Sequence, residues 1–341
     1  MKISLIPVLS VIIILTSCVK EKPVYFEYVE YNKKITITGY TGESKDVVIP
    51  AKIDRYPVTV LEDDAFAFKQ IESIVIPKTV TIIGNNTFMG NQLISLNIPD
   101  SVTYIGNYAF AWNQITGLKI PKSVEFIGGF AFLGNNLASL TLPANAEIEL
   151  NAFNNTVFDY YNKNEKKAGT FDITFETFDE YNIAVLNNSI AEIISYTGQD
   201  KEIIIPDMIN NYPVISIGYS SFFGHELTNI TIPNSVIIIG PYAFAGNKLD
   251  NVIIPDSVTI IGENAFRESA INNVVIPNSV TVIGDNAFTH NKLTNINLPD
   301  SVVSIGHYAF TYNQLTNVII PNSVIEFGFG VFDVDVSVSI E

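Results

Sequence analysis

A proline recurs every 22 residues through most of this chain, at Pro77, Pro99, Pro121 and Pro143 in one run and at Pro233, Pro255, Pro277, Pro299 and Pro321 in another. The segments around these prolines align. LTNITIPNSVIIIGPYAFAGNK (227–248) is followed directly by LDNVIIPDSVTIIGENAFRESA and INNVVIPNSVTVIGDNAFTHNK. The shared pattern is L-x-x-[LIV]-x-[LI]-P-x-S-V-x-x-I-G-x-x-A-F-x-x-N-x. Such a period constrains the fold severely, because a unit this short cannot close a hydrophobic core alone. Each copy must bury its apolar side against the next, and stacking at the ~4.8 Å strand spacing supplies that neighbour. The expected architecture is a mainly β solenoid with a parallel sheet on one face and little helix.

Chemistry assigns each position within the unit. Ile230 and Ile232 alternate with Thr231, the period of a short strand with one buried face. Proline cannot donate to a ladder, so it ends that strand. Val236 to Ile239 reads as a second extended piece, and Gly240 permits a tight corner after it. Ala243 and Phe244 then point inward. The phenylalanines at this position (Phe66, Phe88, Phe110, Phe132, Phe222, Phe244, Phe266, Phe288, Phe310 and Phe332) form an expected core column. Asn247 is suited to bonding backbone groups in the following loop. Asn91, Asn113, Asn135, Asn291 and Asn313 repeat it, while Lys69, His225 and Ser269 break the series.

This unit resembles the leucine-rich repeats of the BspA-like bacterial surface-antigen family, whose signature is L-x-x-L-x-L-P…S-V-T-x-I-G-x-x-A-F. The resemblance covers most of residues 31–332. It implies a leucine-rich repeat fold and adhesion to host or neighbouring-cell proteins such as matrix components. The position often occupied by cysteine in that family is mainly asparagine here.

A longer duplication overlies the short one. ITITGYTGESKDVVIPAKIDRYPV (35–58) matches AEIISYTGQDKEIIIPDMINNYPV (191–214), and each copy precedes a run of regular units. Atypical units at the start of a solenoid shield its core from water, so both read as N-terminal caps. The FDYYNKNEKKAGTF stretch looks like the segment that closes many arrays of the family. The expected organisation is a first capped array over 31–172, a linker over 173–186 and a second array with an N-terminal cap over 187–341. The alternating end FDVDVSVSIE suggests a final edge strand whose Asp333, Asp335 and Glu341 discourage edge pairing.

Little in the chain points to catalysis. The three histidines, His225, His290 and His307, occupy different repeat positions, and there is no metal-ligand spacing and no phosphate loop. The recurrent serines, such as Ser257 and Ser279, lack a paired base and read as turn residues. A formal charge of −16 argues against nucleic acid as a partner. We therefore expect no enzyme, no cofactor and no metal.

Surface columns are the remaining candidates. On the pre-proline strand of the second array one outward column is Asn229, Asn251, Asn273, Asn295 and Asn317. Beside it run Thr231, Ile253, Val275, Asn297 and Ile319. An uncharged, partly apolar strip suits contact with a protein, although stacked asparagines can also bond one another along a solenoid. Phe68, Trp112 and Tyr312 share a different position, interrupted by Gly90, Gly134, Gly224 and Gly246. A glycan-binding module would need such aromatic platforms close together. A structural envelope spacer is the third reading.

The N-terminus adds a location. Lys2, an apolar run from Ile3 to Leu15 and small residues before Cys18 read as a signal peptide over 1–17. Leu15-Thr16-Ser17-Cys18 resembles the lipobox of bacterial lipoproteins, which implies lipidation of Cys18, a tether over 18–30 and membrane attachment through lipid alone. The function expected from all of this is a surface-displayed lipoprotein that binds an unidentified host, neighbouring-cell or matrix protein, held at the bacterial cell envelope.

Overall fold

The computed structural model describes residues 13–14 and 25–341. Cys18 and most of the expected signal peptide lie outside the described residues. The chain is a mainly β solenoid of 22-residue coils with parallel ladders. It divides into two compact units, Met1–Ile173 and Thr174–Glu341.

Each unit begins with an antiparallel hairpin. In the first, Tyr25–Tyr31 pairs with Lys34–Tyr40, and the two turn residues Asn32 and Lys33 have φ of 49° and 61°. Two consecutive left-handed residues match the twist of the flanking strands, and asparagine at the first position tolerates that conformation. In the second, Tyr181–Leu186 pairs with Ile190–Tyr196 across Asn187 and Asn188, with φ of 50° and 52°. These hairpins correct two expectations. Residues 25–30, expected within a tether, are strand. So are most of residues 173–186, expected as a linker, which lie in Gly169–Phe178 and Tyr181–Leu186.

From each hairpin a parallel ladder runs coil by coil. In the first unit it passes from Lys34–Tyr40 to Tyr56–Leu61, Ile82–Ile83, Tyr104–Ile105, Phe126–Ile127 and Glu147–Ile148. In the second it runs from Ile190–Tyr196 through Tyr212–Ile217, Ile238–Ile239, Ile260–Ile261, Val282–Ile283 and Ser304–Ile305 to Glu326–Phe327. This continuous ladder is built from the piece after the proline. In the second unit the pre-proline strands, which carry the expected binding columns, pair only two by two: Glu202–Ile204 with Asn229–Thr231, Asn251–Ile253 with Asn273–Val275, and Asn317–Ile320 with Ser337–Ile340. Residues 95–97 and 295–297 form no strand at all. Proline explains the asymmetry. It removes a donor at the end of each pre-proline strand, whereas the later piece keeps its donors, as in Thr103 N–H to Thr81 O and Gly106 N–H to Ile83 O, both 2.9 Å.

The phenylalanine column is the core. Phe66, Phe88, Phe110, Phe222, Phe244, Phe266, Phe288 and Phe310 are fully buried. Their rings stack near-parallel, with centroids 5.0 Å apart for Phe66–Phe88 and 5.4 Å for Phe288–Phe310. Tyr40 and Tyr196 continue the two stacks into the N-terminal caps, at 5.7 Å and 5.4 Å. Close packing also sets the glycines. A Cβ on Gly106 would lie 2.6 Å from the carbonyl carbon of Gly84 in the preceding coil. These glycines therefore serve close approach between coils, while the left-handed backbone falls two residues later, on Asn86, Tyr108 and Tyr242.

Asparagine ties the coils together. Asn291 Nδ2 donates to the carbonyls of Phe266 and Phe288 (2.8 and 2.9 Å), and its Oδ1 accepts from the amide of Ile271 at 2.9 Å. Asn91, Asn113, Asn135, Asn247 and Asn313 repeat this pattern. Where Ser269 replaces asparagine, its hydroxyl reaches the Phe244 carbonyl at 2.7 Å. The serines after the prolines do more than turn the chain. Ser257 and Ser279 donate to the carbonyls of Val236 and Val258 in the preceding coil, at 2.6 and 2.7 Å.

The first unit closes on a nine-residue helix, Asn155–Lys163, which the sequence reading did not anticipate within the FDYYNKNEKKAGTF stretch. Phe153 stacks on Phe132 at 5.1 Å, and the Tyr161 hydroxyl donates to the Pro143 carbonyl at 2.9 Å. The strand Gly169–Phe178 then pairs antiparallel with Ser139–Leu142. In the second unit the final strand is parallel, and Asp333, expected to guard an edge, instead accepts from the Tyr312 amide at 3.0 Å.

Replacing Phe266 by alanine is expected to cost ~3–5 kcal/mol by opening a cavity in the stack. Chemical denaturation checks this, and a loss under ~1 kcal/mol would contradict the column. Asn291→Ala is expected to cost at least ~1–3 kcal/mol, because buried backbone groups lose their partner. The same denaturation measurement reads it.

Candidate functional site

The ten column residues of the second array all emerge on the surface. Each pre-proline strand shows the pattern exposed–buried–exposed, so the first and third side chains face out while Ile230, Val252 and Val274 fill the core. Asn229, Asn251, Asn273, Asn295 and Asn317 form the first outward column and Thr231, Ile253, Val275, Asn297 and Ile319 the second. Ile253 is 75% exposed and Val275 56%. Strand register places Asn251 beside Asn273 and Ile253 beside Val275.

Mutual hydrogen bonding does not account for the asparagines. Asn251 Nδ2 donates to its neighbour Asp250 at 2.9 Å, and Asn317 Oδ1 accepts from the Thr316 hydroxyl at 3.1 Å. Among the described residues, no hydrogen bond joins one column asparagine to the next. The column asparagines are exposed, and those that bond do so to a sequence neighbour and not across coils.

The aromatic candidates occupy a loop edge. Phe68, Trp112 and Tyr312 have left-handed φ of 56°, 52° and 55°, and Gly90, Gly134, Gly224 and Gly246 share that conformation at the equivalent position. The interruption by glycine has a packing reason in the first array. The Phe68 ring lies across Gly90 of the next coil and the Trp112 indole across Gly134, so that a Cβ on either glycine would collide with the ring. Tyr312 leans instead toward His290 of the preceding coil, ring centroids 4.2 Å apart. Tyr108 stands beside Trp112 at 6.1 Å and stacks on Phe130 at 4.7 Å. The sequence reading missed Tyr108. Its signal was an aromatic side chain at a repeat position where Tyr108, Phe130, Tyr242 and Tyr308 alternate with Asn86, Asn264 and Asn286.

Titratable groups do not converge. Among the described residues there is no cluster of three or more His, Cys, Asp or Glu placed to hold a metal ion. Burial, reinforced by the neighbouring Asp285 carboxylate, pushes the Glu263 carboxyl above its ordinary range, against a hydrogen bond from Asn264. Burial and then Lys201 lower His225. The two groups have different neighbours, Asp285 and Asn264 around Glu263 and Lys201 and the Tyr196 ring around His225. A cleft of about 570 Å³ at the end of the first array is lined by Lys119, Lys122, Thr141 and Thr170 together with apolar backbone-rich segments. It holds two cations and no acid–base pair. Among the described residues no helix is long and apolar enough to cross a membrane.

Comparison with known proteins agrees with the repeat chemistry. The model of the BspA type leucine-rich repeat region matches in six copies over residues 56–196 and 215–338. No curated protein matches the chain. Similar solved structures include a leucine-rich repeat protein of T. pallidum, 23% identical, covering 49% of this chain and 86% of its own with a TM-score of 0.41. A leucine-rich cell surface protein of Faecalibacterium prausnitzii is 20% identical over 89% of this chain and 90% of its own, TM-score 0.33. The pneumococcal vaccine antigen PcpA is 17% identical over 95% of this chain and 98% of its own, TM-score 0.32. With the family model covering well over half its length, the chain belongs to the BspA-type leucine-rich repeat family.

Proposed function

We propose that this protein is a bacterial surface lipoprotein that binds another protein through the outward columns of its pre-proline strands. The observation that carries the reading is the run of exposed, uncharged and partly apolar side chains through Thr231, Ile253, Val275, Asn297 and Ile319, flanked by asparagines that do not bond one another. Such a strip costs little to desolvate at its β-branched members and offers amides for directional bonds at its border, the composition of an interface core with a polar rim. Membership in a family of repeat scaffolds supports binding over catalysis. The partner is a protein of a host, a neighbouring cell or the extracellular matrix, and adhesion is the outcome. A lipid on Cys18 holds the protein at the cell envelope, since each buried acyl CH₂ contributes ~0.8 kcal/mol of membrane affinity.

Binding to immobilised matrix and cell-surface proteins tests the surface. The double variant Ile253→Lys/Val275→Lys should weaken a saturable interaction by about tenfold or more with little change in melting temperature, because both side chains are exposed. Absence of any saturable binding, or binding indifferent to the double variant, would count against the assignment. The anchor is tested separately: labelled palmitate should enter the wild-type protein in a bacterial host and be lost in Cys18→Ser. Incorporation that persists in the variant would remove Cys18 from the proposal.

A further inference from the structure

One edge of the first array differs in kind from the matching edge of the second. Its successive coils present Phe68-Lys69-Gln70, Gly90-Asn91-Gln92, Trp112-Asn113-Gln114 and Gly134-Asn135-Asn136. The asparagines at the middle position turn inward onto backbone carbonyls. What remains outside is an aromatic ring on alternate coils and an amide on every coil. Phe68 is 65% exposed and Trp112 41%, each resting on a glycine that leaves room for the ring to lie across the neighbouring coil. The side-chain amides of Gln70, Gln92, Gln114 and Asn136 make no hydrogen bond among the described residues. In the second array the matching amide positions are Glu226, Lys248, Ala270, Lys292 and Gln314, with Lys248 paired to Glu226 at 2.8 Å. Arg267 and Glu268 pair nearby at 3.0 Å.

We infer that this edge of the first array is a second binding site, for an extended, neutral β-1,4-linked glycan. Spacing is the first argument. The phenylalanine rings beneath step 5.0 and 5.2 Å from coil to coil, so two coils set Phe68 and Trp112 roughly 10 Å apart along the array. Alternate sugars of an extended β-1,4 chain recur at a comparable distance and present the same face. Chemistry is the second. The CH face of a pyranose chair carries partial positive charge and settles on the negative face of an aromatic ring, while its equatorial hydroxyls need paired donors and acceptors, which free carboxamides supply. Single-stranded nucleic acid also stacks on aromatic rings, but it requires a cationic groove. Lys69 is the one cation among the twelve residues of this edge, in a chain of net charge −16.

Calorimetric titration of the full chain with cellohexaose, xylohexaose and mannohexaose tests the site. At least one hexaose should bind saturably, and its disaccharide should bind about tenfold more weakly because it reaches a single platform. Trp112→Ala and Phe68→Ala should each cost about tenfold or more, whereas Trp112→Phe should retain most of the affinity and Tyr312→Ala all of it. Gln114→Ala, which leaves both rings in place, should weaken binding several-fold and serves if an aromatic variant fails to fold. No saturable binding of any hexaose overturns the inference. So does affinity unchanged in Trp112→Ala or in Gln114→Ala, or a disaccharide as tight as its hexaose. Decaproline, an extended peptide of similar pitch, is the counter-probe: binding of decaproline in place of every hexaose overturns the glycan assignment. Neither result bears on the pre-proline columns, which belong to the second array and to a different part of the coil.

Discussion

Everything in this molecule depends on one large side chain per coil meeting its copy in the next. The stacked rings from Phe222 to Phe310 advance about 5.3–5.4 Å per coil, slightly more than the spacing of strands in a sheet. Ring stacking and backbone pairing must therefore be satisfied together, and the repeat has little freedom left. The small inward residue before most of these phenylalanines, usually alanine, leaves space for the ring, and the corner glycine ahead of it lets one backbone lie against another. The buried asparagine then collects the carbonyls of its own and the preceding phenylalanine. Removing the ring from one coil would disturb all three devices at once.

A column of identical rings needs two ends. At the N-terminal end of each array a tyrosine replaces phenylalanine, its ring still in the stack and its hydroxyl directed to a polar partner: Tyr40 to the Ser44 carbonyl, Tyr196 to Glu180. The hairpin in front of each tyrosine covers the first coil and starts the continuous ladder. At the far end of the first array the solution differs. A short helix brings Tyr161 under the Pro143 carbonyl, and an antiparallel strand covers the last pre-proline strand. Ends are where the repeat cannot supply its own neighbour, so they are where its sequence departs from the consensus.

Function follows from what the core leaves unused. Half of each pre-proline strand and the loop edge after A-F face outward, and neither is needed to hold the coils together. The two arrays have diverged there while keeping the same interior. The second carries asparagines and β-branched residues along its strands and ion pairs along its loop edge. The first carries two supported aromatic rings and a file of amides along that edge. A solenoid separates scaffold from surface more cleanly than a globular core does, because each coil contacts only its neighbours.

The period, the phenylalanine column, the inward asparagines and the exposed columns were legible in the sequence, because each is a property of one repeat position copied many times. The two hairpins were not, although Asn32-Lys33 and Asn187-Asn188 between alternating segments carried the signal of a tight turn. The first strand of each hairpin lacks the 22-residue mark and so reads as tether or linker. The helix at Asn155–Lys163 was hidden for the same reason. By itself the sequence determined that the chain stacks, since a 22-residue unit has no other way to bury its apolar face. Only the tertiary structure decided which extended piece forms the unbroken ladder, why glycine alternates with Phe68 and Trp112, and that the exposed asparagines do not bond each other. Each of these depends on a contact between residues one coil apart, which the pattern within a single coil does not contain.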